Sequence, residues 1–293
     1  MVFIAVTRCT NINLKRLSTT MYNSAYRQSK LKYEHKVVDN DNNIAYCKSG
    51  NGSHGVLCIP GALGCAETDF LPQIQAVGSV FDESIFTFVG WDPPGYGRQG
   101  PSNPRDFGLD FYERDAEVAR LLMRDIGFEQ FSLLGWSDGG ISALILAGNY
   151  PGDVRRLVVW GSNAFVTNED VEKCEAIRDL NLWSDKMKQP FVDIYGMKYF
   201  SETWNAWIDA YARFAAERED GDICRAVLPR IQAPTLVIHG MKDSLLPFEH
   251  AQYIHRNVND SKLITMPDGK HNLHLRYADQ FNQMVAEFLT NDK

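Results

Sequence analysis

The chain has 293 residues, with 30 Lys+Arg against 37 Asp+Glu and a formal net charge of −7. A hydrophobic fraction of 44% and a charged fraction of 23% are ordinary globular usage, which excludes disorder throughout. A net negative chain with no basic stripe is a poor nucleic-acid binder, and its longest apolar runs fall far short of the roughly 20 residues a membrane-spanning helix needs.

The beginning of the chain stands apart. Arg8, Lys15, Arg16, Arg27, Lys30 and Lys32 precede the first acid, Glu34, and Ser and Thr are frequent among them. A basic, hydroxyl-rich, acid-free start has the composition of a mitochondrial transit peptide. Residues 1–31 are therefore set outside the fold, as a transit peptide or a plain tail, and the expected location is mitochondrial, otherwise cytoplasmic.

Past that segment strands and helices alternate. Residues 33–39 and 43–48 alternate apolar and polar around Asp-Asn turn residues and predict an antiparallel hairpin. Residues 56–59 and 85–91 are short buried strands, stopped by Pro60-Gly61 and by Asp92-Pro93-Pro94-Gly95. Residues 111–126 have helical spacing, with Val118, Leu121, Leu122 and Ile126 on one face. A strand over 131–134 leads into a helix over 141–146 that ends before Pro151. Residues 157–160, 235–239 and 262–266 are further strands, and 277–289 is a closing helix with Ala278, Phe281, Val285 and Phe288 on one face. The alternation predicts an α/β fold: a mostly parallel central sheet with helices on both faces.

Residues 163–230 break the rhythm. They are helical in pattern and rich in aromatics (Trp183, Tyr195, Tyr199, Phe200, Trp204, Trp207, Tyr211, Phe214), with no clear strand. The stretch is too long for a loop and predicts a helical cap inserted over the sheet, most of its aromatics filling its own core. The core would then comprise 32–162 and 231–293. Cys9, Cys47, Cys58, Cys65, Cys174 and Cys224 form no C-x-x-C pair. In a chain this long they read as reduced, mostly buried thiols.

The chemistry is expected at the strand ends. Gly135-Trp136-Ser137-Asp138-Gly139 fits G-x-S-x-G, after a predicted strand and before a predicted helix. On so sharp a strand-to-helix turn, side chains two positions either side of the serine would collide with the turn, hence both glycines. The Ser137 hydroxyl would stand at the carboxyl edge of the sheet beside a helix N-terminus, where negative charge is favoured. The bland alternative is a serine N-cap.

A serine nucleophile needs a base, and the base needs an orienting acid. In this architecture they follow in the order Ser, acid, His. Asp243 lies on the loop after the strand 235–239, and His271 on the loop between the last strand and the last helix. His274 is the competing base but already starts a helical pattern; His239 reads as a packed strand-end residue. Asp268 competes with Asp243 but is too close in sequence to His271. The oxyanion hole is expected from the backbone N–H of Asp138 and one N–H of Pro60-Gly61-Ala62-Leu63-Gly64, Ala62 first and Leu63 next. Such chemistry needs no metal or organic cofactor, and no ligand cluster has metal spacing.

These residues carry a resemblance. The 60–64 loop, Trp91-Asp92-Pro93-Pro94-Gly95-Tyr96-Gly97, the serine turn, Gly240-Met241-Lys242-Asp243 and Gly269-Lys270-His271 resemble the α/β-hydrolase superfamily. More narrowly, Glu67-Thr68-Asp69-Phe70, Trp160-Gly161-Ser162-Asn163-Ala164 and the run from Gly269 to Arg276 are similar to its biphenyl hydrolase-like members. The likeness extends over about residues 33–289. It implies an α/β-hydrolase fold with a helical lid, and a mitochondrial, monomeric serine hydrolase acting on small α-amino acid esters, prodrugs of the valacyclovir type included. Many superfamily members have His where this chain has Pro60, and Arg where it has Pro94, which removes the usual anchor of the 92–97 loop.

Asp138 carries the substrate reading. A carboxylate directly after the nucleophile repels anionic acyl groups and attracts an ammonium α to the scissile carbonyl, and the resemblance implies the same role. Otherwise it is an acid in the first turn of a helix, stabilised by the dipole. Glu67 and Asp69 either add negative potential near the mouth of the site or, the reading preferred, are solvated surface acids. The competing functions are hydrolysis of carbon–carbon bonds in meta-cleavage products, whose acidity Asp138 opposes, and a non-catalytic binding protein on a hydrolase scaffold.

Overall fold

The computed structural model describes residues 31–39 and 42–290; the expected leader, apart from Leu31, and Cys9 lie outside the described residues. Eight strands form one sheet: β1 (Tyr33–Val38), β2 (Asn42–Ser49), β3 (His54–Ile59), β4 (Phe86–Trp91), β5 (Phe131–Trp136), β6 (Val154–Trp160), β7 (Thr235–Gly240) and β8 (Ser261–Met266), in the order β1-β2-β4-β3-β5-β6-β7-β8. β1 and β2 pair antiparallel, as do β2 and β4; every other pair is parallel. The first two strands are the predicted hairpin.

Alternate residues of one strand serve opposite layers. Leu57 and Ile59 of β3 join Leu133, Leu157, Val159 and Val237 in one core, against Ala119 and Leu122 of α3 (Phe111–Asp125), Leu144 of α4 (Asp138–Asn149) and Ile254. Val56 and Cys58 join Leu134, Val158, Leu236 and Ile238 in the other, with Phe281 and Val285 of the closing helix Ala278–Thr290. Burial on both faces is why these strands read as continuous apolar runs.

Three helices escaped the sequence reading. Two are the short α1 (Ala66–Asp69) and α2 (Leu71–Gln75). The third spans Phe248–Asn257, capped by Pro247, with Ala251 and Ile254 buried; that proline and the apolar spacing were its signal. Cys47, Cys58, Cys65, Cys174 and Cys224 are buried free thiols.

β3 lies between β4 and β5, so the chain leaves it in one direction and arrives at β5 from the other. A crevice opens at the carboxyl ends of strands where an α/β sheet reverses its winding in this way. Between β6 and β7 lie α5 (Asn168–Ala176) and α6 (Asp185–Glu217), the latter interrupted at Gly196 (φ 68°, ψ 153°). Part of this stretch packs on itself as expected: Phe191 stacks on Phe200 at 5.0 Å, and Trp183 meets Trp204 edge-on at 5.0 Å. Tyr195, Tyr199, Trp207 and Phe214 do not follow that pattern, which corrects the expectation that most of the aromatics fill the segment's own core: the first three hydrogen-bond the α/β core, and Phe214 packs on Phe111 and Tyr112 of α3.

Candidate active site

Ser137 is the one residue between β5 and α4, at φ 55° and ψ −123°. That backbone is strained for a residue with a Cβ, and its surroundings hold it. Its N–H donates to the Trp160 carbonyl at 3.0 Å. A Cβ on Gly139 would lie 2.0 Å from the Ile59 oxygen, and one on Gly135 2.6 Å from the Gly139 oxygen. The turn therefore closes only with glycine at both positions.

The structure brings Ser137, His271 and Asp243 together across the sheet edge. His271 Nε2 lies 3.1 Å from Ser137 Oγ, and His271 Nδ1 lies 2.8 Å from Asp243 Oδ2. With Nδ1–H donating to the carboxylate, Nε2 is free to accept from the serine hydroxyl. The other Asp243 oxygen, Oδ1, accepts the N–H of Leu245 at 2.9 Å and of Leu246 at 3.1 Å. Burial works to raise the Asp243 pKa, but the pairing with His271 and these two N–H groups outweigh it and leave the pKa lowered. Trp136 Nε1 holds the His271 carbonyl at 2.9 Å.

The competing residues are committed elsewhere. His274 is fully buried; its Nδ1 accepts from Trp160 Nε1 at 2.9 Å and its Nε2 donates to the Asp69 carbonyl at 2.9 Å. Burial pushes its pKa down to about 3, so it is a neutral structural imidazole. His239 is buried against Phe248, with ring centres 5.2 Å apart. Asp268 is exposed and pairs with Lys242.

The 60–64 loop faces the serine turn: a Cβ on Gly61 would lie 3.2 Å from Ser137 Cβ. The Gly61 N–H donates to Asp69 Oδ2 at 3.0 Å. Among the described residues, no backbone carbonyl outside the regular elements accepts from the N–H groups of Ala62 or Asp138, while the Leu63 N–H faces the buried Tyr96 hydroxyl. Leu63 has a positive φ of 56°. Asp69 corrects the surface reading: it is 4% exposed, packed against Gly64, and burial pushes its pKa up to about 7. Glu67 is partly exposed and pairs with Arg98 at 3.3 Å.

Asp138 lies in the first turn of α4, yet it is only 8% exposed. Trp207 Nε1 donates to its Oδ2 at 2.7 Å. Burial pushes its pKa up to about 6, against the lowering influence of the Trp207 hydrogen bond and the Arg105 charge. A carboxylate thus sits one residue from Ser137 in a largely dry setting, where it has titrated fully to the anion only near neutral pH.

Residues 56–284 match the family model described as the alpha/beta hydrolase family. The chain belongs to the α/β hydrolase family. It is 48% identical over 254 residues to human "Serine hydrolase BPHL", covering 87% of this chain and 85% of that one. The mouse protein of the same name is 47% identical over the same length. Among solved structures, a 2-hydroxy-6-oxo-6-phenylhexa-2,4-dienoate hydrolase from Rhodococcus sp. strain RHA1 superposes with a TM-score of 0.71 at 17% identity, covering 89% of this chain and all of that one. At that identity the likeness speaks for the α/β-hydrolase fold alone. With its serine hydrolase relatives, family membership makes the chain a hydrolase of the serine class.

Within this α/β hydrolase, guanidinium groups further along the chain anchor the loop that lacks Arg at position 94. Asp92, fully buried, accepts from the Arg98 N–H at 2.9 Å and from Arg98 Nη1 at 3.2 Å. Arg105 Nη1 donates to the Pro94 carbonyl at 2.7 Å, and its guanidinium pairs with buried Asp115 of α3. Nothing local in the sequence marks either arginine. Replacing Arg105 by Ala is expected to cost about 3–5 kcal/mol, because it strands a buried carboxylate. Urea unfolding of Arg105→Ala and of Arg105→Met/Asp115→Leu checks this: the double variant should recover most of the loss.

Proposed function

We propose that this hydrolase cleaves carboxylic esters of α-amino acids through an acyl-enzyme on Ser137. Ser137 Oγ attacks the ester carbonyl as His271 takes its proton. Asp243 keeps the imidazole in the accepting tautomer. The oxyanion is received by the N–H of Asp138 with that of Ala62 or Leu63; Gly61 is already engaged by Asp69. His271 returns the proton to the leaving alcohol, then activates the water that releases the acid. The helical 163–230 segment would act as the lid, and the basic start would address the protein to mitochondria.

The observation that carries the substrate class is the buried Asp138 carboxylate beside the nucleophile, one oxygen held by Trp207. A charge pair at 4 Å is worth on the order of 1–4 kcal/mol for effective dielectrics of 80 to 20. That corresponds to about tenfold to a thousandfold preference for a free amine over its N-acyl analogue. Amino acid ester prodrugs of the valacyclovir type fit the same requirement.

The test compares kcat/KM for valine benzyl ester and its N-acetyl analogue, in wild type and in Asp138→Ala, with Ser137→Ala as blank. The preference for the free amine should collapse in Asp138→Ala. Its pH dependence follows from the two charges. With the Asp138 pKa pushed up to about 6, the preference grows as pH rises through 6. It falls again once the substrate ammonium deprotonates near the α-amino value of about 8. Taking the ratio of the two esters cancels pH effects common to both substrates. Equal rates on both esters in wild type would sink the amino acid specificity, and turnover of a dienoate would favour carbon–carbon cleavage instead.

A further inference from the structure

The 60–64 loop is held from two sides. At one end the Gly61 N–H donates to Asp69 Oδ2 at 3.0 Å. At the other, the buried hydroxyl of Tyr195 donates to the Leu63 carbonyl at 2.6 Å and accepts the Gly97 N–H at 2.7 Å. Tyr195 belongs to α6, outside the α/β core, and immediately precedes the break at Gly196. One turn on, Tyr199 donates to the Gly95 carbonyl at 2.7 Å. Two rings, one on each side of the Gly196 break, thus grip two loops at the sheet edge.

The Leu63 contact has a particular consequence. Leu63 stands at φ 56°, a region that side chains with a Cβ occupy rarely and only where neighbours hold them. The angle φ is the rotation about its own N–Cα bond, so it sets the plane of the Ala62–Leu63 peptide and the direction of the Leu63 N–H. If Leu63 relaxed to an ordinary negative φ, that plane would turn by more than a right angle relative to the rest of the residue. The carbonyl that Tyr195 holds lies on the far side of the same Cα.

We propose that Tyr195 is a positioning residue for the oxyanion hole: its hydroxyl keeps Leu63 in the left-handed conformation, so the hole is complete only while the 163–230 segment is docked on the core. Movement of that segment to admit or release substrate would deprive the Leu63 carbonyl and the Gly97 N–H of their shared partner and let the loop relax. Acyl transfer is thereby confined to the closed state. This rests on the serine esterase reading but not on the amino acid specificity.

Tyr195→Phe removes the hydroxyl and keeps the ring that packs near Gly100. It is expected to lower kcat about tenfold on valine benzyl ester and on its N-acetyl analogue alike, with KM changed less than about twofold, since the loss is confined to the transition state. Affinity for a boronic acid that adds to Ser137 should fall by the same factor. Tyr199→Phe removes a tether of the same 163–230 segment, just past the Gly196 break, that does not touch Leu63, and should keep kcat within about twofold of wild type. An unchanged kcat in Tyr195→Phe, an effect on KM alone, or equal losses in both variants would overturn the proposal, the last by reducing it to general loosening of the segment. Fluorophosphonate labelling of wild type at Ser137 separates the two levels: labelled enzyme with an unaffected Tyr195→Phe overturns positioning only, whereas unlabelled enzyme overturns the serine reading and this one with it.

Discussion

Ser137→Ala is expected to lower ester turnover by about a millionfold while the protein remains folded. The size of the loss follows from the arrangement at the turn. His271 reaches one hydroxyl, at 3.1 Å, and without it the imidazole has no nucleophile to activate. What remains is the residual catalysis of the oxyanion donors and of binding. The strained backbone at φ 55° is set by the turn, not by the hydroxyl, so the alanine variant should unfold within a few degrees of wild type. Ser137→Gly separates the two properties. It should be equally inactive but more stable by about 1 kcal/mol, because glycine adopts positive φ without a clash. Turnover in Ser137→Ala within a hundredfold of wild type would show that the nucleophile lies elsewhere.

Asp243→Asn should cost about ten-thousandfold in kcat. The amide cannot choose its orientation freely. Oδ1 receives two backbone N–H groups, from Leu245 and Leu246, so the asparagine oxygen must take that place and its NH2 must face His271. Nδ1 then has to accept, the proton moves to Nε2, and the ring meets Ser137 as a donor. A single-turnover assay should show slow acylation with binding largely preserved; a loss smaller than tenfold would rule out this orienting role. The lowered pKa of Asp243 also makes a statement about stability. Its contribution is present above the unfolded carboxylate value of about 3.9 and disappears as pH falls through the lower folded value. Asp243→Asn should therefore narrow the difference in stability between neutral and acidic pH.

The parts of the site that the sequence disclosed are those written in local turn chemistry. Gly135 and Gly139 around Ser137, Asp243 after Gly240 and His271 after Gly269 each sit where a short apolar strand stops. Backbone requirements there leave few residue choices. Parallel strands likewise announced themselves because both faces are buried. Tyr195, Trp207, Arg98 and Arg105 were not legible as parts of the site. The two aromatics act across 132 residues to Leu63 and 69 to Asp138, and no periodicity encodes such contacts. Asp69 misled for a related reason. Nothing local in the sequence marks its burial, which arises from packing against Gly64 and from the Gly61 N–H.

His271 and His274 are three positions apart and divided in their response to acid. His274 is bound as a neutral ring by Trp160 on one nitrogen and the Asp69 carbonyl on the other. An unfolded chain would take up a proton there below about 6.5. The native one refuses it until about 3. Over that interval each pH unit favours the unfolded chain by about 1.4 kcal/mol. The same imidazole ties the end of β6 to the residue that steadies the 60–64 loop. On acidification the His274 tie beneath the active site therefore works against the folded chain.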